Sequence, residues 1–592
     1  MKPKTRLFAA GLTIGLSLAP AAPLEATPNA IVEGVLDSGL RDELELAIGD
    51  AKAPPRDVPE ARRRAIAAAR DAVALLRSEG YYDAVDEPDI SSAGRPVVRV
   101  TPGRRFQLRA ASIEWIDAAP EPAARAAALG AVGLVRGGPG RAADILAAEG
   151  RAVAVLEKKG YADAAIRPRE VIVDHGDFTV KPTFRIASGA KVRLGAISLE
   201  GGGRTRAHWV SGLATWKPGT TYDPALLAKL EKRLLDTGVF ESVTVHLAPV
   251  SRETTRAVDV TLVDRKPHTL ELGAGYSTTE GSGLDAKWTR YNRLGRGDSL
   301  ILTAKLYDIQ QKLDLEEDLP DWWGDDRTLK LGGGFLGDRT AAYDDLGGGV
   351  RLDVVRRFSK STSFTLGGAF NFASTREKTA VNLQATPVGQ TLDLYITTAQ
   401  SALVLDRSNS LLNPTKGWRL EAEADPTWIV GDRNLVYFKS QAQLSGYWPM
   451  GGRWPDLAAR VKLGSILGGS IPGVPADRRF FSGGGGSVRG YAYQGVGPRL
   501  SDNTPEGGLS LTEGSFEVRQ GLTRRWGLVA FADVGGVGAT ATPRFDNLAV
   551  GVGAGVRYDL GFGPLRLDLG TPLNPRPGDS PIQVYISIGQ AF

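Results

Sequence analysis

The sequence predicts a chain of two parts: mixed α+β repeats, followed by an all-β, sixteen-stranded antiparallel transmembrane barrel. Three observations lead to this prediction. The amino-terminal segment is cationic and then apolar, which is typical of an exported protein. Near residue 268 the hydrophobic period changes from that of amphipathic helices to strict alternation. Glycine, 73 of 592 residues, is concentrated after that point and alternates there with apolar residues, which is unusual for disordered segments.

The first residues have the pattern of a secretory signal. Three cations precede a short apolar run at residues 7–18, and Ala19-Pro20-Ala21 supplies small residues at a cleavage site. The apolar run is too short to span a bilayer as a helix. We therefore predict a signal peptide at residues 1–21, with an amphipathic core helix as the alternative. Its removal lowers the formal net charge from +5 to about +2.

Several function classes are disfavoured by composition. The basic residues are dispersed, so we predict no nucleic-acid partner. There is no cysteine, and the four histidines are not spaced like metal ligands. Residues 332–337 match a dinucleotide-binding fingerprint, but no helix follows, so a glycine-rich strand is the better interpretation. We predict that the protein is not an enzyme and has no catalytic, cofactor or metal site.

The amino-terminal half contains a repeat. Predicted helices at residues 62–77, 141–159 and 223–235 are followed by Gly80, Gly160 and Gly238, which lie 80 and 78 residues apart. Glycine suits this place because the residue that ends a helix often adopts a left-handed conformation. A second element also repeats, in Gly103, Phe106 and Leu108 and again in Gly189, Val192 and Leu194. We therefore predict three units of similar size.

From residue 270 onward, apolar residues alternate with glycine or charge. In one segment, Leu565, Leu567 and Leu569 alternate with Arg566 and Asp568. A soluble sandwich would also alternate. A membrane barrel is favoured by strands of about ten residues, by short turns alternating with longer loops, and by an apolar strand with an aromatic end at residues 583–592. An even count of sixteen strands would put both barrel ends on the periplasmic side.

One connection, at residues 467–500, is much longer than the others. It contains Phe480-Phe481-Ser482 and a run of four glycines, followed by Val488-Arg489-Gly490-Tyr491. The glycines would suit a flexible surface loop. However, the aromatic and aliphatic residues are poor choices for a solvated tip, and loops of this length are usually functional or disordered.

Val488-Arg489-Gly490-Tyr491 resembles the motif in the sixth extracellular loop of the outer-membrane insertase superfamily, which includes BamA, TamA and the two-partner-secretion transporters. The resemblance implies that the loop folds back into the barrel lumen, where Arg489 contacts acidic residues of the next two strands. The matching positions are Glu517 on the first of these strands, and Phe531, Asp533 and Gly535 on the second. A buried guanidinium needs such acceptors, since they offset the cost of removing it from water.

The same resemblance implies domain bounds. It predicts three POTRA-like domains of β-α-α-β-β order, at residues 27–104, 105–190 and 191–266, before a barrel at 267–592. Three such domains are the arrangement of TamA. The resemblance also implies a weak seam between the first and last strands, and we assign to it Gly273, Gly275, Gly589 and Phe592. The glycines would weaken this seam because they add no side-chain packing.

The implied function is outer-membrane assembly. The resemblance predicts a factor that assists insertion of client proteins such as autotransporters. Its expected partners are outer-membrane lipid, unfolded client proteins, and a TamB-like inner-membrane-anchored protein bound through the first POTRA-like domain. A lipid-transfer port with that partner and a POTRA-containing secretion pore are the alternatives. The sequence alone does not separate them.

Overall fold

The computed structural model describes residues 27–592, except for 52, 251–252, 278–280, 360, 379–390, 452–453, 501–502, 562 and 589–591. The predicted signal peptide and Gly589 therefore lie outside the described residues. Two compact units are present: the first comprises residues up to Ala196 with Lys217–Leu226 and Ala248–Ala257, and the second comprises the rest. No described helix combines the length and the apolar character that a bilayer crossing requires.

The described amino-terminal part contains three β-α-α-β-β arrangements, with sheet orders β2-β5-β4, β6-β9-β7 with β8 also on β9, and β10-β12-β11, and β1 pairs with β3. This confirms the α+β part of the predicted fold class. In chain order the elements are β1 (Thr27–Pro28), β2 (Ile31–Glu33), α1 (Ser38–Ile48), β3 (Asp50–Ala51), α2 (Val58–Ser78), β4 (Val85–Ile90), β5 (Pro96–Thr101), β6 (Gln107–Leu108), β7 (Ser112–Trp115), α3 (Pro122–Val132), α4 (Ala142–Lys158), β8 (Ala165–Asp174), β9 (Thr179–Ala187), β10 (Arg193–Gly201), α5 (Ala207–Leu213), α6 (Pro224–Asp236), β11 (Phe240–Leu247) and β12 (Thr255–Asp264).

Helix α2 begins four residues earlier than predicted. The Asp57 carboxylate caps it by accepting a hydrogen bond from the Glu60 amide at 2.7 Å, and proline occupies the first turn, where no amide donor is needed. Its buried face consists mainly of alanines, which let the helix approach the sheet closely. The helix ends before Gly80, whose φ of +95° is left-handed, as predicted.

The two repeated sequence elements meet each other in space. The Phe106 amide donates to the Gly80 carbonyl at 2.8 Å, and the Val192 amide donates to the Gly160 carbonyl, also at 2.8 Å. Each acceptor glycine follows the long helix of one domain, and each donor lies at the start of the next. The glycine that ends the helix thus also accepts the hydrogen bond that connects one domain to the next, and we call this connection the joint. This explains why both elements recur with nearly the same period.

From His268 onward, the described residues form sixteen strands in one antiparallel sheet in which each strand pairs with the next along the chain. This confirms the predicted barrel. The strands are β13 (His268–Ser277), β14 (Gly281–Tyr291), β15 (Ser299–Tyr307), β16 (Gln310–Pro320), β17 (Arg327–Arg339), β18 (Tyr343–Ser359), β19 (Thr362–Glu377), β20 (Thr391–Asp406), β21 (Gly417–Gly431), β22 (Leu435–Trp448), β23 (Asp456–Leu467), β24 (Ser510–Gly521), β25 (Trp526–Gly538), β26 (Ala549–Asp559), β27 (Pro564–Pro572) and β28 (Gln583–Ile588). The two end strands, β13 and β28, lie side by side.

The barrel reverses the usual burial of polar and apolar residues. On β27, Leu565, Leu567 and Leu569 are 40, 42 and 53% exposed, whereas Arg566 and Asp568 are 5 and 0% exposed. A soluble protein would bury the leucines. This arrangement suits a wall with lipid outside and polar groups inside.

The connection between β23 and β24 runs from residue 468 to 509 and is longer than predicted. It includes a 3₁₀ turn at Ala476–Arg478. The residues after 500 do not extend β24 because they pair within the loop, through bridges between Phe480 and Gly508 and between Arg499 and Pro505. The loop therefore has structure of its own.

The first testable prediction concerns Asp86 on β4. It pairs with Val100, a core residue, and no described residue donates a hydrogen bond to its shielded carboxylate oxygens. Burial raises the pKa of Asp86 to about 6. The charged carboxylate therefore destabilises the first domain above about pH 6, and below about pH 4 the group is protonated both folded and unfolded. Asp86→Asn should stabilise this domain at pH 7.5 and have little effect at pH 4.

Circular dichroism at 222 nm during urea unfolding of the full chain measures this effect, since the described α-helices all precede residue 240. Equal stabilisation at both pH values would contradict the assignment.

The second prediction concerns the joint glycine Gly160. Its φ is +103°, and an added Cβ would lie 2.6 Å from Cγ2 of Thr221. Gly160→Ala should destabilise the helical domains by about 1–3 kcal/mol in the same urea experiment. Gly150, inside helix α4, is the matched control: apart from its neighbours and the backbone of its own helix, no described atom lies within 4 Å of its built Cβ, so Gly150→Ala should stabilise by roughly 0.5–1 kcal/mol. Shifts of the same sign would refute this account of the joint.

Candidate functional site: the inward loop and its seat

The glycine-rich stretch of the long loop is buried, not solvated. Val488 and Tyr491 are 0 and 1% exposed, and Gly483 and Gly484 adopt φ values of +106° and +108°. The Glu513 side chain on β24 accepts hydrogen bonds from the hydroxyls of two loop serines, Ser482 and Ser487. The interpretation as a flexible surface loop is therefore wrong, because these glycines allow a tight turn against the barrel wall.

Arg489 lies at the centre of this contact and is 1% exposed. Its Nε and Nη2 donate to the two carboxylate oxygens of Asp533 at 2.7 and 2.9 Å, and its backbone amide donates to the same group at 3.0 Å. Its Nη1 donates to Glu517 at 2.6 Å and to Asp568 at 3.1 Å. The guanidinium carbon also lies 3.6 Å from the centroid of the Phe531 ring. We call Glu517, Phe531, Asp533 and Asp568 the seat.

Strand alternation positions the seat. Phe531 and Asp533 are two residues apart on β25 and therefore point to the same face. Glu517 on β24 pairs with Phe531, and so faces the same way. The seat carboxylates come from three strands, so the loop joins β24, β25 and β27 from the inside.

The charges are balanced locally. Each seat carboxylate is 0% exposed and would be costly if left unpaired. Among the described side chains, Arg519 contacts Glu517 at 2.7 Å, and Arg557 contacts Asp568 at 2.5 Å. Arg489 is the one cation among these that comes from the loop. Arg566 of β27 also lies 3.6 Å from Asp568. Removal of Arg489 would therefore act mainly on Asp533, which would lose the guanidinium that bonds to both of its carboxylate oxygens.

Glycines of the wall make room for the loop backbone. A Cβ on Gly551 of β26 would lie 1.7 Å from the Arg489 carbonyl oxygen, and one on Gly570 of β27 would lie 2.7 Å from the Gly490 amide nitrogen. A Cβ on Gly535 would lie 2.5 Å from Cγ2 of Val488. The glycine content of these strands thus creates a groove that a side chain at any of the three positions would obstruct.

The loop is also attached to a second part of the wall. Arg479, 4% exposed, donates to Glu377 of β19 at 2.8 Å and to the loop carbonyls of Val474 and Glu506 at 2.9 Å. Residues of strands β19 to β24 form an apolar cluster with Val474 and Phe480 of the loop. The loop is therefore anchored to the wall at two places.

The predicted loop residues lie together. The structure brings Arg489 onto Glu517, Phe531 and Asp533, and brings Val488 against Gly535. Tyr491, also predicted, bonds through its hydroxyl to Asn574 at 2.7 Å. Sequence reasoning missed Asp568, although its alternation with leucines had marked it as an inward-facing position. It also missed Arg479 and, on β28, Tyr585, whose hydroxyl accepts a hydrogen bond from the Gly490 amide at 3.0 Å. The sequence contains no comparable signal for either residue.

The predicted seam residues lie as follows. Gly273 and Gly275 are on β13, opposite Asp285 and Gly283 of β14. Gly589 lies outside the described residues. Phe592 lies beyond β28, where its ring is 5.4 Å from the guanidinium carbon of Arg519 and its carbonyl oxygen accepts from Arg519 at 3.4 Å. Within the described residues, no ladder joins β13 to β28.

Comparison with known proteins finds similarity to one group of outer-membrane proteins. The profile of the Omp85 superfamily domain matches residues 292–592. The outer membrane protein assembly factor BamA of Neorickettsia risticii is 23% identical over 468 residues, covering 74% of this chain. BamA of Neisseria meningitidis serogroup B is 22% identical over 480 residues, covering 70% of this chain. The chain spans 60 and 58% of these relatives, less than two thirds of their length.

A solved structure shares the fold. The crystal structure of BamA from Haemophilus ducreyi lacking POTRA domains 1–3 superposes with a TM-score of 0.68 at 18% identity. The superposition covers 82% of this chain and 100% of the other. The likeness therefore extends beyond the barrel.

The third prediction concerns the loop arginine. Arg489→Ala removes the guanidinium that bonds to both oxygens of the buried Asp533 carboxylate, so it should lower the free energy of unfolding of the barrel by about 3–5 kcal/mol. The midpoint of the heat-dependent gel mobility shift of the purified protein measures this loss. Arg544→Ala is the control, because its ion pair with Asp546 is exposed and solvent-screened pairs contribute little to stability. Indistinguishable midpoints for the two variants would contradict the role of the seat.

Proposed function

The chain belongs to the Omp85 superfamily, and from this we propose that it is an assembly factor that helps insert client β-barrel proteins into the outer membrane. It is an outer-membrane protein whose POTRA-like domains lie in the periplasm. Such domains and a barrel of this kind suit a protein that receives unfolded chains on one side and transfers them to the bilayer.

The seam is the observation that supports the proposal best. Each strand between β14 and β27 has a ladder on both sides, but within the described residues β13 and β28 have a ladder on one side only. An unpaired strand edge offers a row of backbone donors and acceptors to another strand. A client strand could therefore pair with this edge by β-augmentation.

The filled lumen argues against a wide pore. The long loop lies against the inner wall and is held there by buried ion pairs at two places. A secretion pore of this type would have to displace it. The lateral seam is consequently the better route for a client.

We further propose that the chain is the TamA-like type within this superfamily. Three β-α-α-β-β domains, at residues 27–104, 105–190 and 191–266, precede the barrel, and this number supports the assignment. The partner would be a TamB-like inner-membrane-anchored protein that binds the first domain, and the clients would include autotransporters. Crosslinking from residues 27–104 tests the partner independently of the clients.

The fourth prediction tests the function in cells. Depletion of the protein should lower the amounts of autotransporter-type barrels in the outer membrane, because their insertion would lose its assembly factor. Re-expression of the wild-type chain or of Arg544→Ala should restore them, and re-expression of Arg489→Ala should not. The measurement is quantitative proteomics of the outer membrane with parallel lipid analysis.

Two results would contradict the proposal. An unchanged proteome with an altered lipid composition would indicate a lipid-transfer port. Large, stable single-channel currents from the purified protein in planar bilayers would indicate a secretion pore.

A further inference from the structure

The end strand β28 has a contact beyond its own sheet. Its described part, Gln583–Ile588, pairs with β27 from Gly570↔Gln583 to Leu565↔Ile588. On its other side, no ladder to β13 exists within the described residues. An interaction with another element would therefore add to what the β27 ladder contributes to holding β28 in place.

Tyr585 of β28 supplies such an interaction. It is 3% exposed, and its hydroxyl accepts a hydrogen bond from the Gly490 amide at 3.0 Å and donates one to the Tyr491 carbonyl at 2.8 Å. Both partners belong to the inward loop. The ring also packs on the loop, since a Cβ built on Gly485 would lie 3.0 Å from it.

The neighbouring strand contributes to the same contact. Tyr585 is the cross-strand partner of Asp568, which accepts from Arg489, and Arg566 on β27 donates to the Gly485 carbonyl at 3.1 Å. The β27–β28 hairpin thus holds the loop on both sides of Gly490. The Asp568 carboxylate accepts from the Arg489 side chain, and the Tyr585 hydroxyl bonds to the backbone of Gly490 and Tyr491.

We propose that the inward loop holds β28 in the barrel wall from the inside, with Tyr585 as the positioning residue that couples them. Release of the loop then loosens β28, and displacement of β28 then loosens the loop. This reciprocity follows because the two elements share the same hydrogen bonds, so each stabilises the other by the same free energy. The inward loop and β28 therefore form one two-state element: both are held in place, or both are loosened.

Replacement of Tyr585 by phenylalanine distinguishes this coupling from general packing. A tyrosine that only fills space would lose little on replacement by phenylalanine, which keeps the ring. Tyr585→Phe removes two buried hydrogen bonds and leaves the Gly490 amide and the Tyr491 carbonyl without that partner. The variant retains the buried ring and the Arg489 contacts, so the barrel should still fold.

Hydrogen–deuterium exchange on the full-length protein in lipid nanodiscs tests the proposal. In Tyr585→Phe, exchange should accelerate about tenfold both in residues 482–491 and in residues 583–588, with no change in β21 and β22. Tyr558→Phe is the matched control, because the Tyr558 hydroxyl lies near the surface and accepts from Arg525. It should leave both segments unchanged.

Three outcomes would overturn the proposal: acceleration in the loop with β28 unchanged, no acceleration in either segment, or uniform acceleration across the barrel. A second variant tests the reverse direction. Gly490→Ala places a Cβ 2.8 Å from the Thr571 carbonyl and should lift the loop, so β28 should exchange faster although its own sequence is intact. Continued protection of β28 in that variant would likewise overturn the coupling. These measurements need no client, so their failure would leave the proposed assembly function untouched.

Discussion

The structure of the barrel interior depends on one constraint: a guanidinium taken out of water needs anionic acceptors on every side. Arg489 meets this constraint with carboxylates from β24, β25 and β27. These strands must then bring their polar faces to a single point, which fixes their register. If the loop that carries Arg489 left, Asp533 would lose the guanidinium that bonds to both of its oxygens, and Glu517 and Asp568 would each lose one hydrogen bond.

The rest of the interior follows from this contact. The loop backbone needs space, and Gly535, Gly551 and Gly570 provide it by omitting side chains. Glycine in a strand ordinarily weakens the strand. Here the loop supplies the packing that the glycines do not, and Tyr585 extends the same contact to the end strand. The proposed lateral route for a client rests on this inward loop and on the end strands β13 and β28, which within the described residues have a ladder on one side only.

Much of the fold was predictable from the sequence because it rests on local periodicity. Alternation located the sixteen strands, and the spacing of Gly80, Gly160 and Gly238 located the repeated helices. The loop residues Arg489, Glu517 and Asp533 were predictable from their motifs. The roles of Asp568, Tyr585 and Arg479 were not, because their partners are 79, 95 and 102 residues away and only closure of the barrel brings them together. The loop bounds were underestimated because residues after 500 pair within the loop rather than with a strand.

A disulfide between loop and wall is the most direct test of the inward loop. The chain has no cysteine, so Val488→Cys with Gly535→Cys introduces a single pair. A Cβ on residue 535 would lie 2.5 Å from Cγ2 of Val488, and Val488→Cys removes that methyl group, so the pair fits where Gly535→Cys alone would obstruct the groove. In outer membranes of intact cells, this pair should oxidise nearly completely, and the added Arg489→Ala change should greatly reduce the yield. Failure of the pair to crosslink in the protein with Arg489 intact would show that the loop does not lie on its seat.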